Sequence, residues 1–163
     1  MDPARILPLW QRLSGLPGGR WVFSRLIGFA VPYSGSIRAR VVELSPGHAV
    51  LDLPDRRRVR NHLRSVHAMA LCNLGELASG LAMLSGLPPH LRGIVTNIGT
   101  SYEKKARGTL RATCTCPPFE GDFDTGEDQT LQVRAILCDA AGEQVAVTTV
   151  SWLIGPRPQT AVQ

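Results

Sequence analysis

Hydrophobic and polar positions alternate with different periods along this chain, and the changes of period mark its elements. Ile6, Leu9, Trp10 and Leu13 lie at helical spacing. Gly15 to Gly19, with Pro17, interrupts the pattern. Val22, Phe23, Leu26, Ile27 and Ala30 resume an apolar stripe that Pro32 stops. Residues 4–30 therefore predict one or two short helices. From Gly35 the period becomes two. Ile37, Ala39 and Val41 alternate with Ser36, Arg38 and Arg40, and after the turn Ser45-Pro46-Gly47 the positions Ala49, Leu51 and Leu53 repeat the alternation. This predicts a strand hairpin.

A basic connector, residues 55–64, leads into the longest apolar run of the chain. Ser65 to Gly86 shows no two-residue alternation. Ser65 suits an N-cap, and Gly86 with Pro88 and Pro89 makes a stop. A helix over His67–Leu84 would be about 27 Å long at 1.5 Å per residue. It is apolar almost all round, so it belongs in a core. Period two then returns. Ile94, Thr96, Ile98, Thr100 and Tyr102 share one face of a strand, and Leu110, Ala112 and Cys114 follow after a turn. Residues 117–129 read as an acidic loop. Leu131, Val133, Ala135 and Leu137 alternate, as do Val145, Val147, Thr149, Ser151 and Leu153 after a turn at Gly142. The chain from Gly155 reads as a frayed tail.

This order lacks the strand–helix repetition of a Rossmann sheet. It predicts an α+β fold, a long antiparallel sheet wrapped around one central helix, with extra N-terminal helices. The expected organisation is a helical extension (1–34), the main domain (35–155) and a flexible tail (156–163).

The 163 residues suit one domain, and 44% hydrophobic content excludes a mainly disordered chain. Four cysteines, Cys72, Cys114, Cys116 and Cys138, form no Cys-x-x-Cys pair and no zinc set with histidine. They read as buried thiols of a reducing, cytoplasmic compartment. The segment Asp122 to Val133 lacks the Gly and Glu placement of a calcium loop, so no metal is expected. Nothing implies a cofactor. The apolar run carries His67, Asn73 and Glu76, which argues against a membrane span.

Charge sharpens the picture. The net charge is +5. Residues 1–64 hold +7, residues 65–91 only Glu76, residues 92–113 +4 and residues 114–163 −5. Two basic blocks thus flank an almost uncharged helix. Arg56, Arg57, Arg58, Arg60 and Arg64, with Lys104, Lys105 and Arg107, are either a solvated face or a phosphate site. The connector has no aromatic residues, so nucleic acid is not the expected partner.

Glu76 is the one carboxylate between Asp55 and Glu103, in mid-helix among Leu, Ala and Gly. Burial of a carboxylate costs free energy unless it is paired or protonated. It reads as an ion-pair partner or as a catalytic base whose pKa burial raises. His67 lies nine residues earlier, on the opposite side of the helix. The two cannot form a dyad within one chain, so a site using both requires two chains. Alone, His67 is more often a structural residue of the helix start. The first helix amides, near Ala68 and Met69, suit an oxyanion. Asn61 reads as a turn residue or as a group that orients water.

Together these residues have a familiar spacing. Asn61, then His67-Ala68, then Glu76 resembles the Asn…His-Gly-Gly…Asp/Glu pattern of hotdog-fold acyl-CoA thioesterases of the phenylacetyl-CoA (PaaI) type. Tyr102-Glu103-Lys104-Lys105-Ala106-Arg107-Gly108 is similar to that family's Tyr-Leu-x-Pro-Ala-x-x-Gly segment. Asp139 to Ala146 is similar to its Asp-x-x-Gly-x-x-Val/Ile-Ala hairpin. The resemblance covers roughly residues 35–154. It implies a hotdog homodimer, often paired into a dimer of dimers, with its active site between subunits and acyl-CoA as substrate. Glu76 would activate water or attack the thioester carbonyl. The Ala68 amide would polarise that carbonyl, Asn61 would position water or substrate, and His67 would brace the helix start. Met69, Arg58, Arg60, Arg64, Tyr102, Lys104 and Lys105 would meet the substrate, the cations at its phosphates. The family's Gly-Gly is Ala68-Met69 here, which narrows the approach to the helix start. Thioester hydrolysis is the favoured reading. A non-catalytic protein that binds acyl-CoA or an acyl carrier is the alternative, and a hotdog hydratase or dehydratase is a more distant one.

Overall fold

A computed structural model of the chain describes residues 3–119 and 128–157. Three helices come first: α1 (Pro3–Ser14), α2 (Gly19–Ala30) and the short α3 (Pro32–Gly35). The strands β1 (Arg40–Ser45) and β2 (His48–Leu53) follow, then a 3-10 turn (Arg57–Val59) and the long helix α4 (Ala68–Gly86). The chain closes with β3 (Leu91–Tyr102), β4 (Leu110–Thr115), β5 (Gln129–Cys138) and β6 (Gln144–Pro156). The strands form one six-stranded sheet in the order β1-β2-β4-β5-β6-β3. All pairs are antiparallel. The sheet wraps α4, so this is the expected α+β architecture.

Alternation explains the strands. In β4, Leu110, Ala112 and Cys114 are buried and the intervening residues exposed. Helix α4 has no polar face to speak of, and beyond its first turn it lies in the core. By length and composition it could cross a membrane, but 61% of its apolar window is buried against the sheet. Its glycines let the strands approach. A Cβ on Gly75 would stand 2.2 Å from Thr148 Oγ1 on β6. Gly75→Val is therefore expected to cost about 1–3 kcal/mol by overpacking, read as a lowered midpoint in urea unfolding.

Several local expectations are corrected. Pro32 stops α2 and also begins α3, at a position where its missing N–H is harmless. The first strand begins at Arg40, because Arg38 takes a left-handed backbone (φ 51°) and turns the chain. Ser65 is not the N-cap. The chain stays extended through His67, whose backbone N–H bonds Val59 O (2.7 Å), and α4 starts at Ala68 with His67 as its cap. The face proposed for β3 is split. Thr96 is bulged out between Val95 and Asn97. Ile94 pairs with Leu153, whereas Ile98, Thr100 and Tyr102 pair with Val150, Thr148 and Ala146. Partners share a face, so Ile98 looks toward α4 and Ile94 away from it. Gly155 and Pro156 are not a tail, since they continue β6 opposite Arg92 and Leu91. Most of the acidic loop, and with it the segment weighed as a calcium loop, lies outside the described residues.

The helical extension is not a separate body. Ile6, Trp10, Phe23 and Ile27 belong to the same core as α4 and the sheet, and Trp10 meets Phe23 edge-on at 5.1 Å. Helix α2 also lies against β1, where the Ser24 hydroxyl accepts the Val41 N–H (2.9 Å). One sheet edge is thus covered. The other, β3, is twelve residues long and carries Ile94 and Ile98 at 49% and 40% exposure.

Candidate active site

The start of α4 is built by the turn before it. Asn61 Oδ1 accepts the backbone N–H groups of Leu63 (2.9 Å) and Ser65 (3.1 Å), and Asn61 N–H bonds Ser65 O. Asn61 therefore holds the turn, as its residue type favours. Val66 N–H reaches Ala106 O (2.8 Å), which fixes the segment against the chain after β3. His67 Nδ1 then accepts the Met69 N–H (3.0 Å). A neutral imidazole accepting at Nδ1 carries its proton on Nε2.

These bonds decide which amides remain. His67 Nδ1 takes Met69's, and His67 O receives those of Ala70 (2.9 Å) and Leu71 (3.1 Å). The Ala68 amide is left without an acceptor among the described residues, at the positive end of the helix and on an exposed residue. Tyr102, at the end of β3, donates its hydroxyl to Ala68 O (3.1 Å). Burial raises the Tyr102 pKa first, and Cys72 adds to it, while Thr100 opposes. His67, Ala68, Met69 and Tyr102 are thus brought together. Met69, the next residue, is 56% exposed.

Glu76 is elsewhere. It lies eight residues past Ala68, a rise of about 12 Å at 1.5 Å per residue. No arginine meets it. Its partner is the buried Ser34 of α3, whose hydroxyl donates to Oε2 at 3.3 Å. Burial raises the Glu76 pKa, and the Ser34 hydrogen bond draws it partly back. One turn earlier, Asn73 Nδ2 donates to Tyr33 O (3.3 Å), while its buried Oδ1 has no partner among the described residues. Two bonds from neighbouring turns of α4 therefore hold α3 in place. Sequence reasoning missed Ser34, because nothing local in Pro32–Gly35 says which helix face it will meet. Polar Asn73 and Glu76 at three-residue spacing on an apolar helix were the signal that something polar must lie opposite.

The cations divide into two sets. Arg60 is bound to Asp55 (2.6 Å), whose carboxyl also receives Gly108 N–H and is held below its usual range by Arg60. Lys104 pairs with Asp139 (2.8 Å) and with Glu143. These two act inside the fold. Arg58, Arg64 and Lys105 are exposed. A cavity of about 920 Å³ lies between α2, α3, the entry to β1 and the connector, and both Ser34 and Leu77 line it. A smaller one of about 430 Å³ is lined by Tyr33, Arg58, His67, Met69 and Asn73. No group of three or more metal-ligating side chains occurs among the described residues. All four cysteines are free, and burial pushes the Cys114 thiol up to about 12 and Cys116 to about 11, which leaves them inert.

Residues 19–154 match the model of a family described as a domain of unknown function, DUF4442. The chain belongs to the DUF4442 family. A structural-genomics target protein is 30% identical to this DUF4442 chain, with TM-score 0.77 over 96% of this chain and all of its own. A Pseudomonas aeruginosa protein described as a probable thioesterase is 22% identical (TM-score 0.76, 87% and 97% coverage). A mutant of the phenylacetic acid degradation protein PaaI from Thermus thermophilus is 18% identical (TM-score 0.62, 75% and 97% coverage). No curated protein matches the sequence. These likenesses make the fold a hotdog, the one that the spacing of Asn61, His67, Ala68 and Glu76 resembled.

Proposed function

We propose that this DUF4442 protein is an acyl-CoA thioesterase whose active site is shared by two chains. The observation that carries the reading is the pair of half-sites. Glu76 is a partly buried carboxylate with a raised pKa, the environment that makes a base effective near neutral pH. The Ala68 amide is an unused donor at a helix start. A reacting carbonyl must stand about 3 Å from the amide and within reach of Glu76, directly or through one water. A rise of about 12 Å along one helix forbids that within a single chain.

The bare edge strand supports a homodimer. A long edge with exposed isoleucines invites pairing, while β1 is covered by α2. Pairing through β3 would bring Ile98 and Tyr102 beside a second α4. The Ala68 amide of one chain would then polarise the thioester carbonyl. Glu76 of the other would take a proton from water as the oxygen attacks, or attack directly and be hydrolysed. The C–S bond breaks, and the products are a carboxylic acid and a thiol. Asn61 and His67 serve by shaping the helix start. A dimer of dimers is the further assembly that the hotdog resemblance suggests.

A second reading has its own observation. With the Met69 amide consumed by His67, and Ala68-Met69 standing where the family pattern has Gly-Gly, one donor remains on a narrowed approach. That favours an acyl-CoA or acyl-carrier binder without hydrolysis. Purified protein and a panel of acyl-CoAs separate the two. Release of free thiol supports the thioesterase, and saturable binding without thiol favours the binder.

Ser34 has a distinct signature. Its hydroxyl lowers the Glu76 pKa, so Ser34→Ala is expected to raise it further. The acid limb of the rate–pH profile should move to higher pH. An unmoved limb with a lower plateau would mean that Ser34 only holds α3.

A further inference from the structure

The larger cavity has a rim of one sign. Arg25 of α2, Arg38 and Arg40 at the entry to β1, and Arg56 and Arg58 of the connector all line it, and no Asp or Glu among the described residues does. The sequence prepares this: Pro3 to Val42 contains six arginines and no acidic residue. Nearby carboxylates are already used, Asp55 by Arg60 and Asp52 by Arg111. Arg56 is fixed. Its Nη2 donates to the carbonyls of Ile37 and Arg38, and its buried Nε has no partner among the described residues. Burial lowers its pKa, and then Arg38, Arg40 and Arg58 lower it more, which shows how closely the cations crowd. Arg56 thereby holds Arg38 in a left-handed backbone that an arginine seldom adopts.

Crowded cations without a counter-charge among the described residues call for an anion with several charges. Guanidinium groups bind phosphate oxygens in bidentate fashion, and arginines spread over α2, the entry to β1 and the connector suit an anion with more than one phosphate better than a single one. The cavity also carries Trp21 and Phe29, 60% and 86% exposed, which offer faces for an aromatic base. Ser34 and Leu77 in its lining connect it to Glu76.

We propose that this cavity binds the phosphates of a diffusible acyl carrier bearing two or more phosphate groups, not the single phosphodiester of a carrier protein's arm. The site stands on its own residues, while the word carrier rests on the thioesterase reading. The phosphate role thus leaves Arg60 and Lys104, which are neutralised within the fold, and passes to Arg38, Arg40 and Arg58.

Titration calorimetry on the full chain tests this with adenosine 3′,5′-bisphosphate, inorganic pyrophosphate and adenosine. Both phosphorylated probes should bind, adenosine far more weakly. Arg38→Gln combined with Arg58→Gln should weaken bisphosphate binding by about tenfold or more. Arg38→Gly, which suits the left-handed backbone, should weaken it less without disturbing the fold. Arg134→Gln, on the exposed side of β5, should change nothing. Absent binding, binding indifferent to Arg38 and Arg58, or tighter binding of a holo acyl-carrier protein would each overturn the proposal. Thiol release from an acyl-N-acetylcysteamine thioester, which has no phosphate, tests the thioesterase reading separately.

Discussion

Glu76→Gln is expected to lower thiol release from acyl-CoA by about 10²–10⁴-fold, the range by which a positioned acid–base group contributes. Glutamine keeps the shape and an oxygen for the Ser34 hydroxyl, so the loss isolates the proton-accepting or nucleophilic step. Unchanged turnover would remove Glu76 from the mechanism. The same variant should be more stable than the native chain at neutral pH. Burial raises the folded-state pKa of Glu76. The unfolded chain therefore releases this proton at lower pH than the folded one. Through the window between the two values, folding weakens as pH rises, and it stays weaker above. Glutamine carries no such cost. Its melting temperature should exceed the native one at pH 7, by about 2–4 °C per kcal/mol relieved, and the difference should vanish below the ordinary carboxylate range. A site residue whose loss stabilises the fold is kept for chemistry.

The sequence made one link of this chain readable and hid another. Helix α4 was legible because an apolar run longer than a strand, with few polar residues and no two-residue alternation, belongs in a core. Strands β4 and β5 were legible because alternation is a local property. Strands β2 and β6, buried at nearly every position, were located by it but not oriented, and in β6 Thr148 and Trp152, not the expected Val145 set, meet α4. The isolation of Glu76 among apolar residues marked it without any knowledge of the fold. What stayed hidden depends on contacts between distant segments. Ser34 sits on a four-residue turn whose Pro32 both ends one helix and starts the next. That Ser34 meets Glu76, 42 residues away, follows only from the packing of α2 against β1. The bulge at Thr96 shifts Ile98 to the helix face, and no residue preference in that strand announces it. The basic residues show the same limit. Arg56, Arg58 and Arg60 are adjacent in sequence, yet one props a backbone turn, one lines a cavity and one is neutralised by Asp55.

Ala68→Pro should cost nearly as much activity as loss of the carboxylate, and for a different reason. Proline at the first helical position removes only the N–H, which has no partner within the helix. The preceding residue already has the backbone that proline demands, since His67 lies at φ −65° and ψ 140°. The helix should persist, with its circular dichroism and melting temperature close to native. Loss of one oxyanion donor typically lowers kcat by about 10²–10³-fold. The two variants together test the shared site. Each homodimer lacks one component in both of its sites. A mixed dimer of Glu76→Gln and Ala68→Pro chains has one site with both lesions and one with neither. Unfolding and refolding the two together should thus restore about a quarter of the native activity, because half of the random dimers are mixed and each has one working site of two. If the catalytic groups belonged to one chain, no mixture of the two would recover, and the half-site geometry that motivates the thioesterase assignment would be wrong.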